Sequence, residues 1–535
     1  MKKIVALILA AVMLLTLAAC GGSGGGNATT TAANGGETTA AQGGGEAQEP
    51  ASGEKTKITI GSTQKVTVPL DGANEANMFG FGVCMDMLVY TDTDGSLTSD
   101  ILESWESTDE GLTMTLKEGV NFTDGRACTA EDVLWTFLDS IERGAGSDNW
   151  ESVFDWDNAE ISNNDLSLFI PTFEPYAPGI ISLTTGSAYI KSKSYVEEHP
   201  YEDPIWWDVV EGTGPYECVE QIDGAYSLYR LRDNYWDKDR KFKFDEIQFN
   251  YYSDQNAMAI ELQNGVIDVA LDINDYYYKE FSDNPDYVTK LHSEANMTTV
   301  SFDETMVEAF KDIRVREAIS LAFNADEAGI VGAAGMYTVA ESILPKNCFG
   351  FKSEGATLNG SDEDIARAKE LMAEAGYPDG FNVKLTVRDR DADIGEYVQG
   401  ALSKIGINCE FEAMEFMNYI MANRNGEIEC TMGEIMSDNA GEPALVYQSF
   451  TTDQSSTLGV IFDEEFNELC KKATATVDKE ARKKLVEEIQ DYIYDNYYRV
   501  VLYEKAKAWV FRADSLPADF EIYAGNKVFG LRNMQ

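Results

Sequence analysis

The chain has 535 residues, enough for two or three domains, and its hydrophobic content of 44% with 26 Tyr and 25 Phe can build large cores. Its 42 basic and 92 acidic side chains leave a formal charge of −50, which repels phosphate backbones and argues against a DNA or RNA partner. Only two histidines are present, His199 and His292, with no H-E-x-x-H pattern and no G-x-x-x-x-G-K-[ST] loop; this excludes the common zinc-hydrolase and P-loop signatures and argues against a Ser-His-Asp triad.

The first residues, Met1-Lys2-Lys3 followed by an apolar run from Ile4 to Leu15, have the charged-then-apolar order of a secretory signal and are short for a membrane span. Leu17-Ala18-Ala19-Cys20 resembles the lipobox of bacterial lipoproteins, which implies cleavage after residue 19 and a diacylglyceryl anchor on Cys20. Two or three acyl chains on one cysteine make a stable tether, since each buried methylene contributes about 0.8 kcal/mol. Residues 20–54 are then a Gly, Ala and Thr stalk whose composition cannot offset its conformational entropy. Its Gly21-Gly22-Ser23-Gly24-Gly25 matches G-x-S-x-G by letter only, because a nucleophile elbow needs a strand before the serine and a helix after it.

Beyond the stalk, Leu112, Met114 and Leu116 alternate between the turn dipeptides Asp94-Gly95 and Asp124-Gly125, which predicts antiparallel ribbon. Asp92-Thr93-Asp94-Gly95 is not a calcium loop, because the twelfth position falls on Ile101 instead of glutamate. Thr129 opens a helix with Glu131 and Asp132 in its first turn. The histidines read as surface or capping residues.

Between 361 and 412 the pattern is α/β. Ser361 and Asp364 form a capping pair, and Ile365, Ala368, Met372 and Ala375 share one helical stripe that ends at Gly376. Phe381 to Val387 alternates as a strand, Ile394 to Ile405 gives a second helix closed by Gly406, and Ile407, Cys409 and Phe411 alternate again. Strand, helix and strand in so short a span predict a right-handed crossover with parallel strands. Two more helices are expected around Phe466–Ala473 and Ala481–Ile493. The eight cysteines, at 20, 84, 128, 218, 348, 409, 430 and 470, contain no C-x-x-C pair, and the seven that remain without Cys20 read as buried thiols.

Several segments, in order and spacing, resemble the extracytoplasmic solute-binding proteins of ABC transporters, in the peptide/nickel-binding family. They are Asp100–Glu106, Asp109–Thr113, Lys117–Gly125, Thr129–Val133, Gly212–Tyr216 with Asn234-Tyr235-Trp236, Gly265–Asp268 and Phe310–Asn324. The crossover unit fits as well, so the resemblance runs from Lys57 to Tyr503.

It implies an α/β, two-lobed periplasmic-binding-protein-like fold of the large type, with mixed sheets and a hinge between lobes. Lobe I would comprise 55–85, 181–300 and 500–535, an extra subdomain 86–180, and lobe II 301–499. It also implies a non-enzyme that needs no cofactor or metal, works as a monomer, captures a peptide or similar solute by lobe closure and passes it to a membrane permease. The location implied is the outer face of the cytoplasmic membrane, or the periplasm where an outer membrane exists.

In dipeptide receptors a loop aspartate pairs with the ligand's amino group, and Ser437–Pro443 resembles that loop, which implies Asp438. The ligand carboxylate meets an arginine after the strand equivalent to 381–387, where Arg388 and Arg390 stand. Phe79, Gly80 and Phe81 would present backbone to the cleft. The same framework carries metal chelates, sugars and opines in other members. An anchored extracellular hydrolase is the reading from another class.

Overall fold

The computed structural model describes residues 56–63, 82–91, 96–143, 148–184, 188–201, 211–346, 348–353, 358–436, 442–448, 450–452, 461–520, 523–524 and 528–529. The expectations for the signal, Cys20, the stalk, Phe79, Gly80, Phe81 and Asp438 lie outside these residues.

Among the described residues, one mixed sheet of eleven strands runs through the molecule. Its path is Ile407–Met414, Phe381–Arg388, Cys430–Met436, Tyr287–Phe302, Val500–Arg512, Val269–Ile273, Lys57–Ser62, Glu246–Tyr251, Tyr226–Leu231 and Tyr216–Ile222, with Tyr337–Thr338 pairing Val500–Arg512 off the path. At one end Lys57–Ser62 is parallel to both Glu246–Tyr251 and Val269–Ile273. At the other, Phe381–Arg388 is parallel to Ile407–Met414 and Cys430–Met436.

Two long antiparallel strands, Tyr287–Phe302 and Val500–Arg512, join these halves, pairing from Tyr287↔Arg512 to Val300↔Val500. Their register slips between Ser293 and Asn296, and again between Thr298 and Thr299. A bulge bends and twists a strand locally, so the slips mark where the connecting strands bend between the halves. The Val500–Arg512 strand is apolar on both faces where it is most enclosed. Trp509 and Phe511 enter one cluster with Ile58, Tyr216 and Phe249, while Ala508 and Val510 enter another with Met258 and Leu262. Fully burying a side chain of Phe size contributes about 1.5–3 kcal/mol, which holds this strand in place despite its distance in sequence from its neighbours.

In the second half the expected crossover is present. Helix Asp362–Glu374 starts at Ser361, whose hydroxyl and amide both donate to Asp364 Oδ2, at 2.7 and 3.0 Å. Gly376 (φ +94°) and Gly406 (φ +89°) take the left-handed backbone that ends each helix before its strand. Helix Ala392–Ser403 buries Ile394, Val398, Ala401 and Leu402 against Leu385 and Val387. Helices Glu464–Ala475 and Lys479–Asp495 form a separate layer around Phe466, Cys470, Val486 and Ile489.

A small antiparallel sheet, in the order Leu102–Thr108, Gly111–Leu116, Ser167–Pro171 and Glu160–Ser162, has its own core with Phe122, Phe137 and Trp150. Helix Ala130–Glu142 covers it, with Asp132 accepting from the Thr129 amide and hydroxyl at 2.9 Å each. This subdomain is tied to the first half by Arg232 Nη2 donating to Asn121 O at 2.8 Å, Asn121 Nδ2 to Asn234 O at 2.9 Å and Arg240 to Asp100 at 2.8 Å. Gly212 and Gly214 lie against the Cys84 carbonyl, where any Cβ would collide, and the Gly214 amide donates to it at 2.9 Å.

The seven described cysteines are free thiols, six buried and Cys218 half-buried. His199 ends helix Lys193–Glu198 as a cap. His292 departs from expectation: it is neither a cap nor a surface residue but sits half-buried on a connecting strand. Burial and the nearby Lys507 charge push its pKa down to about 4.

Candidate functional site

In open α/β sheets, ligands bind outside the carboxyl ends of parallel strands. Arg388 is the last residue of Phe381–Arg388, and the 3-10 turn Asp389–Asp391 follows at once, carrying Arg390. On the adjacent Cys430–Met436 strand stands Glu434, and on the connecting strand Lys505. Sheet pairing therefore brings residues 388–391, 434 and 505 to one place.

Glu434 is the hub. Its Oε1 takes Lys505 Nζ and, at 3.2 Å, Arg388 Nη2; its Oε2 takes Arg388 Nη1 at 3.3 Å and Arg390 Nη2 at 3.0 Å. Arg388 Nε donates to Asp391 Oδ2. Burial alone would raise the Glu434 carboxyl, but Lys505 and Arg388 prevail and hold its pKa down at about 2. Burial lowers the Arg388 guanidinium, and Glu434 and Asp391 more than reverse that, so it ends above its ordinary value.

The two arginines expected to meet a ligand thus differ. Arg388 has an 11% exposed side chain with three nitrogens engaged, whereas the Arg390 side chain is 58% exposed and touches Glu434 through one terminal nitrogen. A carboxylate approaching from solvent finds the donors of Arg390 first. Sequence reasoning missed Glu434, Lys505 and Asp391; a glutamate inside the otherwise uncharged Cys-Thr-Met-Gly-Glu-Ile-Met strand was the available signal.

Other polar groups on the connecting strands and in the second half are held by partners of their own. Glu504 accepts from Ser293 Oγ and, at 2.9 Å, from Thr338 Oγ1, across the register slip. Tyr419, on helix Phe416–Arg424, meets Thr431 Oγ1 at 2.9 Å and donates to Met432 O at 3.1 Å. Arg499 stacks over Phe450 at 3.9 Å, and burial pulls its pKa down to about 9. Glu442, at the end of the Ser437–Pro443 segment, is buried and paired with Arg482. Among the described residues, no group of three or more His, Cys, Asp or Glu is placed to hold a metal, and no helix is long and apolar enough to cross a membrane.

Residues 96–457, more than half of the chain, match the model of the bacterial extracellular solute-binding proteins, family 5 Middle. A glutathione-binding protein of Pectobacterium atrosepticum is 26% identical over 366 residues, covering 67% of this chain and 69% of its own. The dipeptide-binding protein of Escherichia coli is 22% identical over 432 residues, covering 74% and 78%. Among solved structures, HbpA2 from Haemophilus parasuis superposes with TM-score 0.75 at 20% identity, covering 85% of this chain and 95% of that one. NikA from Brucella suis in complex with Fe(III)-EDTA superposes with TM-score 0.72 at 20% identity, covering 90% and 99%. These neighbours share the two-lobed architecture described above, and the family consists of solute-binding proteins of ABC importers rather than enzymes. The chain belongs to the bacterial extracellular solute-binding proteins of family 5.

Proposed function

We propose that this protein captures di- or oligopeptides between its two lobes and delivers them to an ABC permease, held at the outer face of the membrane by a lipid on Cys20. The observation that carries the reading is the half-exposed Arg390 at the carboxyl end of a parallel strand, backed by Glu434 and Arg388. A guanidinium fork gives a terminal carboxylate two parallel hydrogen bonds. Asp438 is the proposed partner of the peptide's amino group, since burying an ammonium without a carboxylate costs several kcal/mol. Backbone groups of Phe79, Gly80 and Phe81 are the proposed contacts from the first lobe. Arg388 acts on the ligand through Glu434 and by its own charge. The names of relatives, which include dipeptide- and glutathione-binding proteins, support a substrate with both an amino group and a carboxylate.

Ligand contacts to both lobes stabilise the closed form, and only the difference in affinity between the two forms shifts the equilibrium. Titration calorimetry against dialanine, trialanine, pentaalanine and glutathione tests the proposal. Saturable heat with at least one of these is expected. Silence with all of them, together with a non-peptide solute found by mass spectrometry of the purified protein, overturns peptide capture in favour of a chelate, sugar or opine.

A further inference from the structure

The small-sheet subdomain belongs to the first half by its contacts with Arg232, Asn234 and Arg240, yet it also reaches the second half far from the connecting strands. The Ala177 amide donates to Thr474 O at 2.7 Å, and Arg482 Nη1 donates to Ala177 O at 3.5 Å. Thr474 lies in the last turn of helix Glu464–Ala475, whose final carbonyls have no partner within the helix. Arg482, on helix Lys479–Asp495, also grips the buried Glu442 through Nη2. Tyr176 packs beside this pair, and burial followed by the Glu442 charge drives its hydroxyl pKa up.

We propose that Tyr176–Ala177 and Arg482 form a clasp that fastens the subdomain to the second half when the two halves close on a solute, and that releases when they part. This rests on the closure reading above. Two features fit a contact that breaks and reforms. It is narrow, for a groove of about 900 Å³ bordered by Phe173, Glu174, Leu469 and Lys472 runs directly alongside it. It is also polar at the backbone, so water can replace each partner on opening. The Glu442–Arg482 pair lies wholly within the second half and persists in both forms, keeping Arg482 aimed at Ala177. Arg482 is therefore a positioning residue for closure.

An Ala177→Cys/Thr474→Cys variant tests the clasp without any ligand, because the Ala177 amide meets the Thr474 carbonyl at 2.7 Å and so brings the two residues side by side. Oxidation is expected to give a cross-linked form whose radius of gyration in small-angle scattering is smaller than that of the reduced form. Failure to cross-link both by oxidation and by a short bis-maleimide, or identical radii in the linked and reduced forms, overturns the clasp. With the peptide that gives the strongest heat among dialanine, trialanine, pentaalanine and glutathione, Arg482→Met is expected to weaken binding about 5- to 10-fold, the equivalent of one or two ordinary hydrogen bonds. Arg482→Lys, which keeps the charge toward Glu442, should recover part of that loss. Equal weakening by both, with an equal drop in thermal stability, marks Arg482 as structural only and counts against its role. If no peptide binds the unaltered protein, peptide capture fails while the cross-linking result still decides the clasp.

Discussion

Arg388 turns both terminal nitrogens of its guanidinium onto Glu434, Nη1 at 3.3 Å from Oε2 and Nη2 at 3.2 Å from Oε1. The carboxylate is nearly enclosed and also holds Lys505 on a connecting strand, so this pair links the carboxyl end of the Phe381–Arg388 strand to the strands that cross between the halves. Removing one partner of a buried pair leaves the other charge uncompensated, at a cost of about 3–5 kcal/mol. Glu434→Gln should therefore lower the unfolding midpoint at neutral pH by several degrees in a calorimetric scan. The sign with pH follows from a carboxyl lowered from 4.5 to about 2: its contribution is present above pH 4.5 and disappears as pH falls toward 2. The deficit of the variant should accordingly shrink in that acidic window, and a deficit independent of pH contradicts the assignment.

Arg390→Ala should separate binding from stability. Its side chain is 58% exposed, so the midpoint of unfolding should stay within about 2 °C of the original. Loss of a hydrogen bond to a charged ligand group costs about 1.5–3 kcal/mol, an affinity decrease of about 10- to 100-fold for a free peptide carboxylate. A C-terminally amidated peptide should bind both forms alike. Equal losses for acid and amide in calorimetry would remove Arg390 from the site.

The crossover at 361–414 was legible because its signals are local: a capping pair at Ser361, an alternating strand from Phe381, and glycines at 376 and 406 that take positive φ. The connecting strands were not. Val500–Arg512 carries apolar residues on both faces, a pattern that marks burial without naming neighbours, and its partner Tyr287–Phe302 lies some 200 residues away in sequence. Arg388 and Arg390 were singled out through family resemblance. Glu434 was hidden because the contact that defines it is made across three strands from distant parts of the chain. His292 was misplaced for a similar reason, since a lone histidine carries no periodic signal that sets it on a crossing strand.

Glu211 gives a pH effect of opposite sign. It accepts the Asp124 amide at 3.0 Å where the subdomain meets the first half, and burial raises its pKa from 4.5 to about 8. A carboxyl raised on folding contributes fully below pH 4.5, and that contribution is lost as pH climbs through 8. Glu211→Gln keeps an oxygen for Asp124 and abolishes the ionisation. Its unfolding midpoint should exceed that of the original by a few degrees at alkaline pH and converge with it near pH 5; a constant offset at every pH contradicts the raised carboxyl.

The proposed anchor has a direct cellular test. Cys20→Ala should abolish incorporation of a radiolabelled fatty acid and shift the protein from the membrane fraction to the medium, or leave it unprocessed. Retained label in the variant excludes Cys20 as the lipid site.

Closure of two lobes on a solute is tested most directly by small-angle X-ray scattering of the protein alone and with saturating peptide from the calorimetric panel. A smaller radius of gyration in the saturated sample is the predicted result. An unchanged radius, measured under conditions where calorimetry shows the site filled, would contradict capture by closure.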